Sequence, residues 1–467
     1  MKRIVICFDG TWNRIDAEEP TNVLMLATGV APITSRGTSQ IVHYDEGVGT
    51  EGSKVRRLVD GGFGFGVLQN LSEAYRFLMF NYEPHDDVYV FGFSRGAFTA
   101  RSFVGLVRSI GIIQRYHIGK VNEGIRLYRK RKGFAHPDLL DFRARYSGHV
   151  STCGEDETHR CNTVEGYQPG SSLPFKFRYV GLWDTVESLG LGNLAKSTFK
   201  NRKDKSFTDS DYDYHDHRLS GIVVAGRHAV ALDERRRYFH SEPWGDLQKA
   251  NARLGYGPND PDRPIQEQFF PGDHGSVGGG GDIRGLSDGA FAWVLDGAKQ
   301  AGLVLDASPS SAVYSIFPDF RAPLRNTSAP PKKVSVMNMR KRDRAHAPGG
   351  LHQVHESAQR RWVLRGENGP YRPANLASLS ATLDVLRFDA PYHVKAERGL
   401  RDERRGGGDY MFYTIIKGDT LGSVAETFMG SAARWKELHT MNAGTVPDPD
   451  KVYVGQVIRV PRPDTDP

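Results

Sequence analysis

Residues 3 to 8, Arg3-Ile4-Val5-Ile6-Cys7-Phe8, carry a run of β-branched and apolar side chains that stops at Asp9-Gly10-Thr11-Trp12-Asn13. Such a run followed by turn residues predicts a buried strand delivering a turn at its C-terminal end. A second short strand is predicted at Ile41–Asp45, followed by Gly47 and Gly49. Val67, Leu68, Leu71, Ala74, Tyr75, Leu78, Met79 and Tyr82 then fall at helical spacing, which predicts a helix with one face in the core. Asp87–Phe93 predicts another buried strand, and Ala97–Ile113 a helix with small residues near its start. Strand, helix, strand, turn and helix in this order specify a parallel sheet covered by helices.

Further strands are predicted at Phe177–Leu182, at Gly221–Ala225 and around Phe269-Phe270, with a helix at Leu286–Ala301. Between Tyr116 and Pro174 the chain is polar, carries His159, Cys153 and Cys161, and shows no sustained period, so it reads as an insertion and a candidate cap over the site. From Pro309 to Gly408 the composition turns to Pro, Arg and Lys and ends in Arg401-Asp402-Glu403-Arg404-Arg405-Gly406-Gly407-Gly408, a linker signal. Beyond it, Tyr413–Leu421, a helix through Val424 and Phe428, Trp435-Lys436-Glu437-Leu438, Met441-Asn442 and Val454–Pro461 read as strand, helix, helix, strand. This segment resembles the LysM domain, whose Gly-Asp-Thr-Leu turn, Trp-x-x-Leu helix with Asn, and Gly-Gln-x-Ile strand are matched by Gly418–Leu421, Trp435–Leu438, Asn442 and Gly455–Ile458. The resemblance implies a module for glycans containing N-acetylglucosamine, peptidoglycan included. The expected organisation is a catalytic domain over 1–305, an extension and linker over 306–409, and the LysM-like βααβ module over 410–467.

A chain of 467 residues suits one large domain with smaller units. Its 39% hydrophobic share and 24 Phe exclude wholesale disorder. The three cysteines cannot all pair, and only Cys153 and Cys161 are close enough in sequence to suggest a local bridge or a metal pair. The first apolar run ends at Asp9, too short for a signal peptide, and no later run approaches a membrane span. The expectation is a chain made soluble in the cytoplasm, whose export would need a machine that reads no such signal. The net charge of +7 favours anionic partners, but the basic clusters at Arg129–Lys132 and Arg340–Arg344 read as solvated faces, and no nucleic-acid partner is expected.

Gly92-Phe93-Ser94-Arg95-Gly96 lies between a predicted buried strand and a predicted helix, the setting a nucleophile elbow needs. Glycines two before and two after let the backbone turn sharply and leave the hydroxyl exposed at a helix N-terminus. A packing turn is the alternative reading. The Arg95 amide is expected as one oxyanion donor, and Gly10 or Thr11, at the C-terminal end of the first strand, as a second. A serine nucleophile needs a histidine base and an acid to orient it, in the order Ser, acid, His. Asp184, in Gly181-Leu182-Trp183-Asp184-Thr185-Val186, and His274, in the glycine-rich loop Gly272–Gly281, fit that order. A helix cap is the alternative for Asp184, and a backbone-bonded loop histidine for His274. His228 competes as base, but Gly226–Glu234 reads as a helix start with Ala231 and Leu232 packed inward. Gly61–Gly66 lacks the Lys and Ser/Thr of a phosphate loop and reads as a loop before a helix. Nothing in these motifs calls for a cofactor.

Phe8–Asn13, the Gly-Phe-Ser-Arg-Gly-Ala elbow, Leu182–Val186, His228–Arg236 and the His274 loop together resemble the bacterial α/β-hydrolase family that includes type VI secretion phospholipase effectors. The resemblance covers residues 1 to 305. It implies an α/β-hydrolase fold, a mainly parallel sheet with helices on both faces, and lipase or phospholipase chemistry with Ser94 as nucleophile, Asp184 as acid and His274 as base. It also implies an acyl-ester substrate such as phospholipid, a secretion machinery and an immunity protein as partners, and delivery to a competing bacterium's envelope. One position departs: the family usually has Asp two residues after the histidine, and here that residue is Ser276.

Overall fold

A computed structural model describes residues 1–10, 15–47, 63–130, 133–186, 219–236, 241–245, 247–257, 260, 262–306, 308, 311, 313, 316–328, 347–366, 369–388, 410–415, 419–442, 446, 448–452 and 456–461. Thr11, Trp12 and Asn13, Gly49, Gly61 and Gly62, the Arg340–Arg344 cluster and the Arg401–Gly408 run lie outside the described residues.

Among the described residues six strands form one sheet: β1 (Arg3–Phe8), β2 (Gln40–Asp45), β3 (Asp87–Phe93), β4 (Tyr179–Trp183), β5 (Gly226–Ala231) and β6 (Ile265–Phe270). They lie in the order β2-β1-β3-β4-β5-β6, and every neighbouring pair is parallel. The register sets Phe8 against Gly92 and Phe93 against Trp183, so the C-terminal ends of β1, β3 and β4 share one edge. The main helices are α1 (Asn22–Gly29), α2 (Phe63–Asn81), α3 (Arg95–Ile110), α4 (Val121–Lys130), α5 (Pro137–Tyr146), α6 (Gly154–Thr163), α7 (His274–Gly278) and α8 (Gly285–Gln300).

Successive strand residues point to opposite faces, so a strand buried on both faces reads as a continuous apolar run. In β1, Ile4, Ile6 and Phe8 pack with α2 and α3 through Leu71, Leu78, Phe103 and Val107. Val5 and Cys7 turn the other way, toward α1 and α8 through Val23, Leu26, Phe291 and Leu295. The sheet is therefore covered on both faces, as an α/β-hydrolase-type fold requires.

Five expectations are corrected. The strand predicted at 221–225 lies at 226–231, and 221–225 contributes only a bridge from Val223 to Phe177. Gly226–Ala231, read as a helix start, is thus the strand β5, buried at all of its positions. Burial on both faces erases the alternation that would have marked it.

The insertion holds α4, α5 and α6, which share a core with Ile110 and Ile112 at the C-terminal end of α3. Ser94 sits at the other end of that helix, about 24 Å away at ~1.5 Å per residue, so the insertion is no cap over the elbow. Its missing period has a physical cause: two arginines occupy core positions. Arg143 donates to Asp156 Oδ1 at 2.7 Å and the Ser109 carbonyl at 2.6 Å, while Arg160 donates to Ser172 Oγ at 2.6 Å and the Val150 carbonyl at 2.9 Å.

Cys153 and Cys161 form no bridge; both are free, and Cys153 Sγ accepts from Arg143 at 3.3 Å. The stretch expected as extension and linker is in part a packed body. α9 (Glu356–Val363) and α10 (Ser380–Asp384) place Ala358, Trp362 and Leu383 against Val230, Leu232 and Phe269.

The C-terminal module pairs β7 (Tyr410–Thr414) antiparallel with β8 (Val457–Pro461) around α11 (Leu421–Met429) and α12 (Trp435–Met441). Its core is its own: Ile415, Leu421, Val424, Leu438, Ile458 and Val460. Asn442 joins the second helix to β8, donating to the Leu438 and Arg459 carbonyls and accepting from the Arg459 amide at 2.6 Å. Among the described residues no single helix is long and apolar enough to cross a membrane.

Candidate active site

Ser94 links β3 to α3 with φ 58° and ψ −125°, a backbone region that L-residues rarely adopt. Both glycines of the motif are sterically required. A Cβ on Gly92 would come within 2.6 Å of the Ala97 Cα, and one on Gly96 would fall on the carbonyl oxygens of Phe8 and Asp9. The elbow is pinned on both sides, since Ser94 N–H donates to the Trp183 carbonyl at 3.0 Å and Val186 N–H to the Ser94 carbonyl at 3.2 Å.

Three side chains converge at this turn. Ser94 Oγ lies 2.7 Å from His274 Nε2, and His274 Nδ1 lies 2.7 Å from Asp184 Oδ2. Asp184, with φ 36°, follows β4, and its other carboxylate oxygen accepts from the Ala231 amide at 2.9 Å and the Ser241 hydroxyl at 2.7 Å. Fixed in this way, the buried carboxylate meets His274. The imidazole also packs against the Phe93 ring in a tilted arrangement, ring centroids 4.6 Å apart. Hydroxyl, imidazole and carboxylate thus form one hydrogen-bonded chain in which a proton leaving Ser94 has an acceptor in contact and the resulting imidazolium has a counter-charge.

His274 does not sit in an open loop but opens α7. Asp273 caps that turn, accepting from the Ser276 amide and hydroxyl at 2.9 Å each, and its own amide donates to the Leu324 carbonyl at 3.1 Å. The departure at Ser276 becomes intelligible here. Its hydroxyl lies between Asp273 Oδ1 and the Leu324 carbonyl, 2.9 and 3.0 Å away, so the position calls for a donor; an aspartate would set a second carboxylate against the cap. Asp233 secures the preceding residue, accepting from the Gly272 amide and from the Tyr371 hydroxyl at 2.7 Å each.

The Arg95 amide opens α3, where the helix dipole is positive. Its guanidinium is largely buried, which pushes its pKa down to about 10. Gly10, expected as a second oxyanion donor, instead gives its N–H to Asp9 Oδ1 at 2.6 Å. Asp9 is buried and also accepts from the Thr21 and Tyr44 hydroxyls, a network the sequence reading missed although Asp9 stands inside one of its motifs. Thr11 lies outside the described residues. His228 belongs elsewhere: it is fully buried in β5, with Nδ1 2.9 Å from Glu267 Oε2 and Nε2 3.0 Å from Thr185 Oγ1. Among the described residues no group of three or more His, Cys, Asp or Glu is placed to hold a metal.

The family model described as the catalytic domain of Tle1-like type VI secretion phospholipase effectors matches residues 2–297, and the LysM domain model matches residues 413–461. An uncharacterised protein of Saccharomyces cerevisiae, YEL023C, is 30% identical over 253 residues, covering 51% of this chain and 32% of its own. The potassium binding protein Kbp of Escherichia coli O6:H1 is 38% identical over 50 residues, 11% of this chain and 34% of its own. The chain therefore spans about a third of the length of the curated relatives it matches. Among solved structures, the Tle1 effector bound to the VgrG spike of the type 6 secretion system is similar over 60% of this chain and 51% of its own, with a TM-score of 0.27 and 17% identity. An uncharacterised protein from Pseudomonas aeruginosa is similar over 97% and 75%, with a TM-score of 0.35 and 16% identity. With its model match running over more than half of the sequence, the chain belongs to the Tle1-like family of type VI secretion phospholipase effectors and carries a LysM domain at its C-terminal end.

Proposed function

We propose that this protein is a serine carboxyl-ester hydrolase that cleaves acyl esters of bacterial membrane phospholipids after delivery by a type VI secretion system. The observation that carries the reading is the unbroken contact chain from Ser94 Oγ through His274 to Asp184, both links 2.7 Å long. Ser94 Oγ attacks the ester carbonyl as His274 Nε2 takes the hydroxyl proton. Asp184 holds the imidazole by Nδ1 and balances the imidazolium, and the Arg95 amide faces the developing oxyanion. The imidazolium protonates the departing alcohol. Water then attacks the acyl carbon as His274 takes its proton, and the acyl–Oγ bond breaks with that proton passing from His274 to Ser94 Oγ, which releases the fatty acid and restores the serine. Gly10 has no part in this scheme, because its N–H is already bonded to Asp9.

Hydrolysis of p-nitrophenyl esters and of phosphatidylethanolamine vesicles by wild type and Ser94→Ala tests the reading. The substitution is expected to lower kcat by at least about 10³-fold, as loss of an activated nucleophile does. Equal rates in the two proteins would sink it. The LysM domain is read as a peptidoglycan anchor that holds the enzyme near its target membrane. An immunity protein that protects the producing cell completes this proposal.

A further inference from the structure

Leu232-Asp233-Glu234-Arg235-Arg236 is part of the sequence block that the triad leaves unexplained. Glu234 is buried, its side chain 2% exposed, and its Oε2 accepts the backbone N–H of His274 at 3.2 Å. Arg236 grips the same carboxylate three times: Nε to Oε1 at 2.9 Å, Nη2 to Oε2 at 2.8 Å and its backbone N–H to Oε1 at 2.6 Å. The guanidinium closes the arrangement from the solvent side, its side chain 40% exposed. A carboxylate bonded to the main chain of the base does two things at once: it fixes where the imidazole stands, and it adds negative potential where an imidazolium forms.

We infer that Glu234 and Arg236 are positioning residues for the reaction, Glu234 holding the His274 turn and favouring the charged base, and Arg236 damping that field. The inference rests on the proposed role of Ser94 and His274. Among the described residues, the charged groups on the imidazole, its turn and the elbow include Asp184 at the end of β4, Asp233, Glu234 and Arg236 beyond β5, Asp273 on the histidine's own turn and Arg95 after the nucleophile, while β3 presents the Phe93 ring. Among these described groups carboxylates outnumber guanidiniums. Burial raises the Glu234 carboxyl, but the Arg236 hydrogen bonds and charge, with the charge of His274 added, carry it below the ordinary carboxylate value, so it is ionised where the enzyme works.

The test is the pH dependence of Ser94 modification by a fluorophosphonate probe, measured on the full chain. Ser94 Oγ bonds to phosphorus, fluoride leaves, and the hydroxyl proton passes to His274 Nε2, so the rate reports the base without any ester substrate. Glu234→Gln removes negative charge and should move the acidic limb of the profile to lower pH by about half a unit or more, while Arg236→Gln should move it to higher pH. Glu234→Gln should also lower the plateau roughly ten- to a hundredfold, the effect of displacing a reacting group by up to ~1 Å. A merely structural pair would lower plateaus and leave both limbs where they are, and that result overturns the inference. If Glu234→Gln does not fold, the direction of the limb in Arg236→Gln decides alone, because that side chain is partly exposed. Wild type that takes up no probe at any pH overturns the nucleophile assignment and this inference together.

Discussion

Residues 347–388 and 410–461 both follow the catalytic domain, and both are short segments with little regular periodicity, yet they dispose of their apolar side chains in opposite ways. The first sends Val354, Ala358, Trp362, Leu376 and Leu383 onto Val230, Leu232 and Phe269 of the sheet. It also ties itself to the candidate site, since Tyr371 bonds to Asp233, which bonds to the Gly272 amide beside the histidine turn. The second buries Ile415, Leu421, Val424, Leu438 and Ile458 on one another. A segment that completes another's core belongs to that fold whatever its composition, whereas one that closes its own core can be removed as a unit.

Truncation separates the two most strongly. A chain ending after residue 346 is expected to be insoluble or to lose hydrolysis by more than about a hundredfold, because the outer face of β5 and β6 is stripped and the histidine turn loosened. A chain ending at residue 409 should keep its esterase rate while losing retention on purified peptidoglycan. Matching rates in the two truncated proteins would erase the distinction.

Point substitutions sharpen it. Trp362→Ala should cost about 3–5 kcal/mol of catalytic-domain stability and Leu438→Ala about 2–5 kcal/mol in the module, the usual range for large buried side chains. In thermal unfolding followed by activity, only Trp362→Ala should bring down the midpoint. A Leu438→Ala enzyme that inactivates as early would show the module to be coupled to the site.

The smallest effect is a pH dependence. His355 stacks on Phe270 at 4.0 Å, and burial, helped by the charge of Arg227, pushes its pKa down to about 3. The unfolded chain takes up this proton near its ordinary value while the folded chain resists it, so stability is present above about pH 6.5 and is lost as pH falls toward 3. The loss approaches a limit of about 1.4 kcal/mol per pH unit. Urea midpoints at neutral and mildly acid pH should show this slope in wild type and a shallower one in His355→Gln; equal slopes would remove His355 as its source.

The same contrast explains what was legible in the sequence. The Asp87–Phe93 strand, the elbow and the LysM pattern are local: each declares itself by residues near in sequence, as do Asp184 at a strand end and His274 among glycines. β5 carries no strand signal because Gly226–Ala231 is buried on both faces and has one β-branched residue, so neither periodicity nor propensity marks it. The packed extension has the look of a linker in sequence because its partners, Val230 and Phe269, lie about a hundred residues upstream. Glu234 lies within the His228–Arg236 block, but its bond to the His274 amide spans 40 residues and has no local signature.

Ser94 and its histidine are 180 residues apart in the chain. At about 5–20 residues per second, a ribosome needs roughly 10–40 s to add the second after the first. The surfaces that close over β5 and β6 are made later still. A half-made chain therefore carries Ser94 without His274, and the proposed lipid-cleaving activity would be withheld from the cell that makes it until residues 347–388 have left the ribosome.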